Sequence, residues 1–514
     1  MQQLMKVLLM LVVLFSLAPL PTQAAPAAQE TAACELDVIV QADDWLSKLA
    51  NKYYGDFFAF SAIVEATNQQ RALDPSYAQI DNPDVIEPGW KLCIPSAAEA
   101  QALLGGDAAT ALGRTEPAEG AVMLTFWHSN APGDVQDELV DIFNASQDEI
   151  FVVSELQGGY GDLATNLLTA HAAGVGPDVT QLGTFEIVEF AKSDVLVDLS
   201  PYLEGENGID TGGWPGTMLS AGEVEGQIVW LPLNVSVPVL YYNSDALAEA
   251  GLPGPPQTWQ EFYDYAHRLT VKDANGVVQR TGVALWDISW PFLSAVWSEG
   301  GEFTTRDYSN VTLDDPVVAS VMSEFQKLIQ EGAATIPDSA SGGHRAAFKN
   351  GQAAMILDSP APFAEIFAES VGFTPAVANY PAGAAGRVYG PGGGGIAMMA
   401  LTPEEKRQAA WTFIKFMLSD DSVAFLAERS GYAAFHEGAR KSAGSFLSDE
   451  RYAIMHEALP FLRGDFSMNT SPAVRTAFDE ALQKILRSDA DVQAALAEAD
   501  AKAEAGLQDE IFAP

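Results

Sequence analysis

The sequence predicts an α/β protein of more than one domain, and three observations carry that expectation. Apolar strand-like runs alternate with amphipathic helices from Val122 onward, the pattern of a sheet flanked by helices. The chain has 514 residues, more than one hydrophobic core usually organises. The only two cysteines, Cys34 and Cys93, bracket a short β-α-α-β pattern well upstream of that alternation.

The chain starts MQQLMKVLLMLVVLFSLAPLPTQAA. One Lys precedes an apolar run that Pro19 and Pro21 cut short, and small residues follow. That is the pattern of an export signal, expected over 1–25, and the run is too short to span a bilayer. The mature protein is therefore expected outside the cytoplasm, in the periplasm or at the cell surface. There an even pair of cysteines reads as a disulfide, Cys34–Cys93. Thr31-Ala32-Ala33-Cys34 leaves acylation of Cys34 as the alternative.

Between the cysteines, VIVQ reads as a strand and Ala42-Asp43-Asp44 as the cap of a helix with Trp45, Leu46 and Leu49 inward. A second helix carries Ile63, Val64 and Ala66; Pro88-Gly89 turns the chain into the closing strand KLCI. With its YYGD and its I-x-PGW-x-L-x-IP ending, Val38–Pro95 resembles a LysM domain. The resemblance implies a module over 34–96 that binds N-acetylglucosamine-containing glycans such as peptidoglycan. The Ala/Gly/Glu-rich stretch 97–120 is expected to be a linker.

The larger region, 121–514, opens with the buried-type strand VMLTFWHS. Asp134–Asn144 follows as a helix with Val135, Leu139, Ile142 and Phe143 on one face; then come strand IFVVSEL, helix Tyr160–Ala173 and strand PDVTQL. This alternation predicts a parallel sheet. Thr258 and Glu261 form a capping box, and Thr402 with Pro403 repeats the logic at another helix start. Ser488–Leu507, rich in Ala and acids, is expected to be helical with a solvated charged face.

The charge excludes some partners. With 69 acidic and 27 basic residues the net charge is −42, which disfavours nucleic acid and anionic membranes, since both reward clustered Lys and Arg. No catalytic motif appears. His436-Glu437 and His456-Glu457 lack a second His four residues after the first, so neither grips zinc from one helix face. The glycine run GPGGGG (390–395) lacks the Lys and hydroxyl of a phosphate loop. No cofactor and no metal are expected. Aromatic residues at strand ends and after Gly turns (Trp127, Tyr160, Trp286, Trp290, Tyr432) instead suit a ligand with C–H faces.

These features come together in a resemblance to the extracellular solute-binding proteins of ABC importers, the sugar and glycerol-3-phosphate (Ugp-type) branch. It rests on TFWHS (125–129), GGY (158–160), PDVTQL (177–182), LPLNVSVPVLYYNSDAL (231–247), TWQEF (258–262), FKNGQAAMILDSP (348–360), GPGGGGIAMMA (390–400) and SGY (430–432). It implies a two-lobed periplasmic-binding-protein-like fold, lobe 1 about 121–236 and 395–435, lobe 2 about 237–394 and 436–514. It implies a non-enzymatic monomer that hands a solute to a membrane permease.

The implied ligand set is Tyr160, Glu186, Ser236, Trp286, Trp290, Ser359, Gly393 and Tyr432. The implied hinge is Val235, Val237, Gly392, Gly394 and Gly395. The glycerol-3-phosphate proteins place an Arg shortly after the Gly matching Gly464, where this chain has Asp465-Phe466-Ser467, with Arg463 before the Gly. The missing Arg favours an uncharged sugar or polyol over glycerol-3-phosphate. A LysM-anchored glycan-processing enzyme is the rival from another class.

Overall fold

A computed structural model describes residues 34–41, 46–54, 59–80, 86–103, 116–129, 134–205, 207–306, 308–338, 342–443, 450–464 and 471–512. The expected export signal, the Asp43-Asp44 cap and Asp465-Phe466-Ser467 lie outside them. The described residues form two compact units, 1–112 and 113–514. No helix among the described residues is long and apolar enough to cross a membrane.

The first unit pairs β1 (Cys34–Ile39) antiparallel with β2 (Lys91–Pro95), and helices Leu46–Tyr54 and Phe60–Leu73 lie between them in sequence. Its core holds Val40, Leu46, Leu49, Ala50, Ile63, Leu92 and Ile94. Cys34 and Cys93 are disulfide-bonded with Cα atoms 5.2 Å apart, so the thiol that acylation of Cys34 needs is already taken. The expected linker begins later than its composition suggests, because Ala97–Leu103 is a helix. Ser96 caps it: its Oγ accepts from Glu99 N (3.2 Å), and Glu99 Oε2 accepts from Ser96 N (3.1 Å).

In the second unit, one sheet runs in the order β4 (Ile150–Leu156), β3 (Val122–His128), β5 (Val179–Gly183), β15 (Gly392–Met398), β8 (Leu231–Ser236). A hairpin of β6 (Glu223–Val224) and β7 (Gln227–Ile228) stands apart from it. The other sheet runs β10 (Val271–Lys272), β11 (Val278–Ala284), β13 (Ala353–Asp358), β9 (Val239–Asn243), β14 (Pro375–Asn379), with β12 (Ala334–Thr335) beside β11. Each sheet with its helices is one lobe.

The expected parallel sheet holds only for β4, β3 and β5. β15 enters from the second lobe and runs antiparallel to both β5 and β8. Of the expected hinge residues, Val237 stands at a crossing and the other four lie within strands. The first crossing is Val237-Pro238, between β8 and β9, and the second lies between Asn379 and Gly392. Val235 is inside β8, and Gly392, Gly394 and Gly395 are inside β15, paired on its edges.

The glycine run has a different cause. A Cβ on Gly395 would stand 2.1 Å from Leu231 O and 2.2 Å from the Trp230 ring; on Gly392, 2.8 Å from the Trp290 ring; on Gly394, 2.8 Å from Tyr160 Oη. The run is bare so that aromatic rings and a neighbouring strand can lie against backbone.

The lobe boundaries shift accordingly. The helices Glu404–Met417, Asp420–Ser430 and Glu437–Ser442 belong to the first lobe, and the chain returns to the second between Ser442 and Glu450 rather than at 436. Thr258 caps its helix as expected, its Oγ1 accepting from Glu261 N at 3.2 Å. Thr402 does not, because its hydroxyl donates to Asp178 O (2.8 Å), and Pro403 takes the cap position. The expected helix Ser488–Leu507 is split: Asp489, at φ +53°, ends one helix (Pro472–Ser488), and the next begins at Val492.

Candidate functional site

Most strands point their carboxyl ends at the cleft between the lobes, where open α/β sheets present ligand-binding loops. A cavity of about 170 Å³ lies there. It is lined by Tyr160 after β4, Gly183 to Glu186 after β5, Ser236 ending β8, Trp286, Ile288 and Trp290 after β11, Ser359 after β13, Gly392 and Gly393 opening β15, and Tyr432. The eight residues of the implied ligand set therefore share one cavity. Gly183, Thr184, Phe185 and Ile288 also line it and were not expected. Trp127 does not; its ring packs against a separate apolar cluster in the first lobe.

Each side chain is fixed by its element. Gly158, at φ +88°, turns β4 into the helix that Tyr160 opens, and Asp162 Oδ2 accepts from Gly159 N at 3.1 Å. The Tyr160 hydroxyl accepts from Asn234 Nδ2 (2.9 Å) and Gln181 Nε2 (3.1 Å). Gln181 Nε2 also donates to Asn234 Oδ1 at 2.9 Å, so the amides of β5 and β8 lock the phenol from below. Burial pushes the Tyr160 pKa well up, and pushes Tyr432 up to about 12. Both stay neutral phenols near pH 7. Gly431, at φ +73°, ends the preceding helix and turns Tyr432 into the cleft.

The second lobe supplies the indoles. Trp290 sits in a buried helix, Ser289–Ser298. Trp286 stacks on His344, centroids 5.1 Å apart and planes 9° apart, with the Arg345 guanidinium 5.7 Å from its ring. Behind them Asp358 is fully buried. Its Oδ2 lies 2.9 Å from His344 Nε2 and 2.6 Å from Arg345 Nε, and its Oδ1 accepts from Arg345 Nη2 at 2.9 Å and Ser359 N at 2.6 Å. Burial alone would raise this carboxyl's pKa, but the hydrogen bonds from His344 and Arg345 outweigh it and hold the pKa at about 2. This charged knot fixes the loop that carries Ser359.

Three polar atoms on the cavity residues are buried and have no protein partner: Glu186 Oε2, Ser236 Oγ and Trp290 Nε1. Buried polar atoms are rarely left so. Burial raises the Glu186 pKa, opposed by Arg475, whose Nη1 is 3.4 Å from Oε1. Arg475 was not expected at this site. Arg463, which precedes Gly464, pairs with Glu302 at 2.9 Å and lies 4.5 Å over the Trp297 ring. Among the described residues no acid–His–Cys cluster could hold a metal.

Residues 152–424 match the bacterial extracellular solute-binding protein family. The chain is 24% identical over 359 residues to the sn-glycerol-3-phosphate-binding periplasmic protein UgpB of Rhizobium meliloti, spanning 65% of this chain and 80% of that one. Among solved structures, UgpB from Mycobacterium tuberculosis in complex with glycerophosphocholine matches with a TM-score of 0.69 and 25% identity, over 76% of this chain and all of that one. The GacH receptor of Streptomyces glaucescens matches with a TM-score of 0.65 and 20% identity, over 76% of this chain and 99% of that one, which shows the shared fold. The relatives are binding proteins, which removes the glycan-processing enzyme as a reading. The chain is a two-lobed, non-enzymatic member of the bacterial extracellular solute-binding protein family.

Proposed function

We propose that the cleft captures a compact polyhydroxylated solute and that the protein delivers it to the membrane permease of an ABC importer. The carrying observation is the set of buried, unpartnered atoms Glu186 Oε2, Ser236 Oγ and Trp290 Nε1 on one aromatic-walled cavity. Glu186 as carboxylate accepts only, Trp290 Nε1 donates only, and Ser236 does both. Ligand hydroxyls satisfy all three, while the rings of Trp286, Trp290, Tyr160 and Tyr432 offer faces for C–H groups. Those six residues, with Ser359 and Gly393, are the ligand contacts of this reading.

The preferred ligand is an uncharged sugar or polyol. A glycerophosphodiester is the second reading, favoured by the glycerol-phosphate-binding relatives and by Arg345 over Trp286. In that case the glycerol hydroxyls meet Glu186 and the phosphate sits toward Arg345, since the Glu186 carboxylate repels an anion. Calorimetric titration against sugars, glycerol-3-phosphate and glycerophosphodiesters tests both; heat from none of them would sink the reading.

For the first unit we propose the glycan-binding role that its LysM-like sequence suggests, supported by its β-α-α-β order. Retention of the protein on isolated peptidoglycan checks it, and equal recovery without peptidoglycan argues against it.

A further inference from the structure

Arg475 reaches across the cleft. It stands on helix Pro472–Ser488 of the second lobe, and its side chain meets two groups of the first: Glu186 Oε1, 3.4 Å from Nη1, and the Phe185 ring, 4.6 Å from the guanidinium carbon. Glu186 is 9% exposed at its side chain and Arg475 28%, so the pair is shielded far more than a surface ion pair. A carboxylate free to rotate would average its two oxygens between cavity and wall. With Oε1 engaged by Arg475, Oε2 is the oxygen left buried without a partner. A Cβ on Gly183 would lie 2.4 Å from Oε2, so the backbone beneath is bare at the spot this oxygen occupies.

We propose that Arg475 is a positioning residue of the cleft, drawing the lobes together onto Glu186 and Phe185 and presenting Glu186 Oε2 to the cavity, so that lobe closure and completion of the site are one event. This rests on the cavity being the ligand site, but its test does not need a ligand. Among the described residues, the other charged or titratable groups facing the pair are Glu189 and Tyr160 on the Glu186 side and Asp479 one turn along from Arg475. None of them supplies a second cation to replace Arg475.

The test is small-angle scattering of the unliganded full chain, fitted as a mixture of open and closed lobes. Arg475→Met is expected to shift the open-to-closed ratio by about tenfold toward open, equivalent to ~1.4 kcal/mol. Arg475→Lys, which keeps the charge but loses the flat stacking surface, recovers part of the closed population. The exchange of partners, Glu186→Arg with Arg475→Glu, recovers more than either single change. A helix role alone would give no such rescue. Scattering of Arg475→Met indistinguishable from wild type overturns the proposal, and so does a Lys variant no more closed than the Met variant. Should the chain bind neither glycerophosphocholine nor maltose while these shifts appear, the ligand assignment fails and the positioning role stands.

Discussion

Replacing Asp358 by Asn removes one charge from the centre of the second lobe and leaves the shape intact. The carboxylate is completely buried, facing Arg345, His344 and Ser359 N with both oxygens. An amide keeps one acceptor but turns an NH₂ toward Arg345 and His344, donors against donors, with the Arg345 charge uncompensated. Breaking one side of a buried pair costs about 3–5 kcal/mol.

The pH dependence gives a second handle on the same group. Its folded pKa is about 2 against an ordinary 3.8, worth roughly 2 kcal/mol at ~1.36 kcal/mol per unit. The pKa is depressed, so this contribution is fully present above pH 4 and fades as pH falls through 2. Denaturation midpoints for wild type and Asp358→Asn should therefore differ most at pH 5–7, by several degrees in a thermal scan. The gap should narrow as pH drops from 4 toward 2, because only the wild type loses a charge there. Equal midpoints at pH 7, or a gap that does not change with pH, would refute the reasoning.

Further outcomes concern the cavity wall and the first unit. Gly393→Ala should destabilise by roughly 3 kcal/mol, because Gly393 has φ +90° and a Cβ there would stand 1.9 Å from Asn234 O; Gly254→Ala, with nothing within 4 Å, is the control that should not move. Trp290→Phe keeps an aromatic face but deletes the unpartnered Nε1 and part of the ring, and in titrations it should weaken ligand binding about tenfold to a hundredfold. An isolated fragment 34–103 should lose about 4 kcal/mol on reduction, since Cys34–Cys93 closes a loop of 59 residues; equal melting of oxidised and reduced fragment would contradict that.

Sequence patterning exposes some of these features and hides others for physical reasons. The runs VMLTFWHS and IFVVSEL are legible as β3 and β4 because each is a short apolar run set off from an amphipathic helix. The direction of β15 is not legible, since a strand's apolar content is the same whichever way it runs. The Gly392–Gly395 run shows a need for bare backbone but not what approaches it, and the rings of Trp230, Trp290 and Tyr160 come from distant chain.

Cavity residues at Gly turns and strand ends could be found because those positions are marked locally. Arg475 could not, because its partner lies 289 residues away and nothing in its own helix sets it apart. Ser96-x-x-Glu99 was a readable cap signal within a stretch whose composition looked like a linker. Thr402 shows the converse, a cap signal overridden by a tertiary hydrogen bond to Asp178.

The central claim is that Glu186, Ser236 and Trp290 await the hydroxyls of a compact solute between the lobes. Calorimetric titration of the full chain with a panel of mono- and oligosaccharides, polyols, glycerol-3-phosphate and glycerophosphocholine tests it directly, with Glu186→Gln alongside. The account predicts saturable binding of at least one hydroxylated ligand, weakened in the Gln variant, and no tight binding of glycerol-3-phosphate alone. Tight binding of glycerol-3-phosphate with none of any sugar or polyol, or binding that Glu186→Gln leaves unchanged, would contradict it.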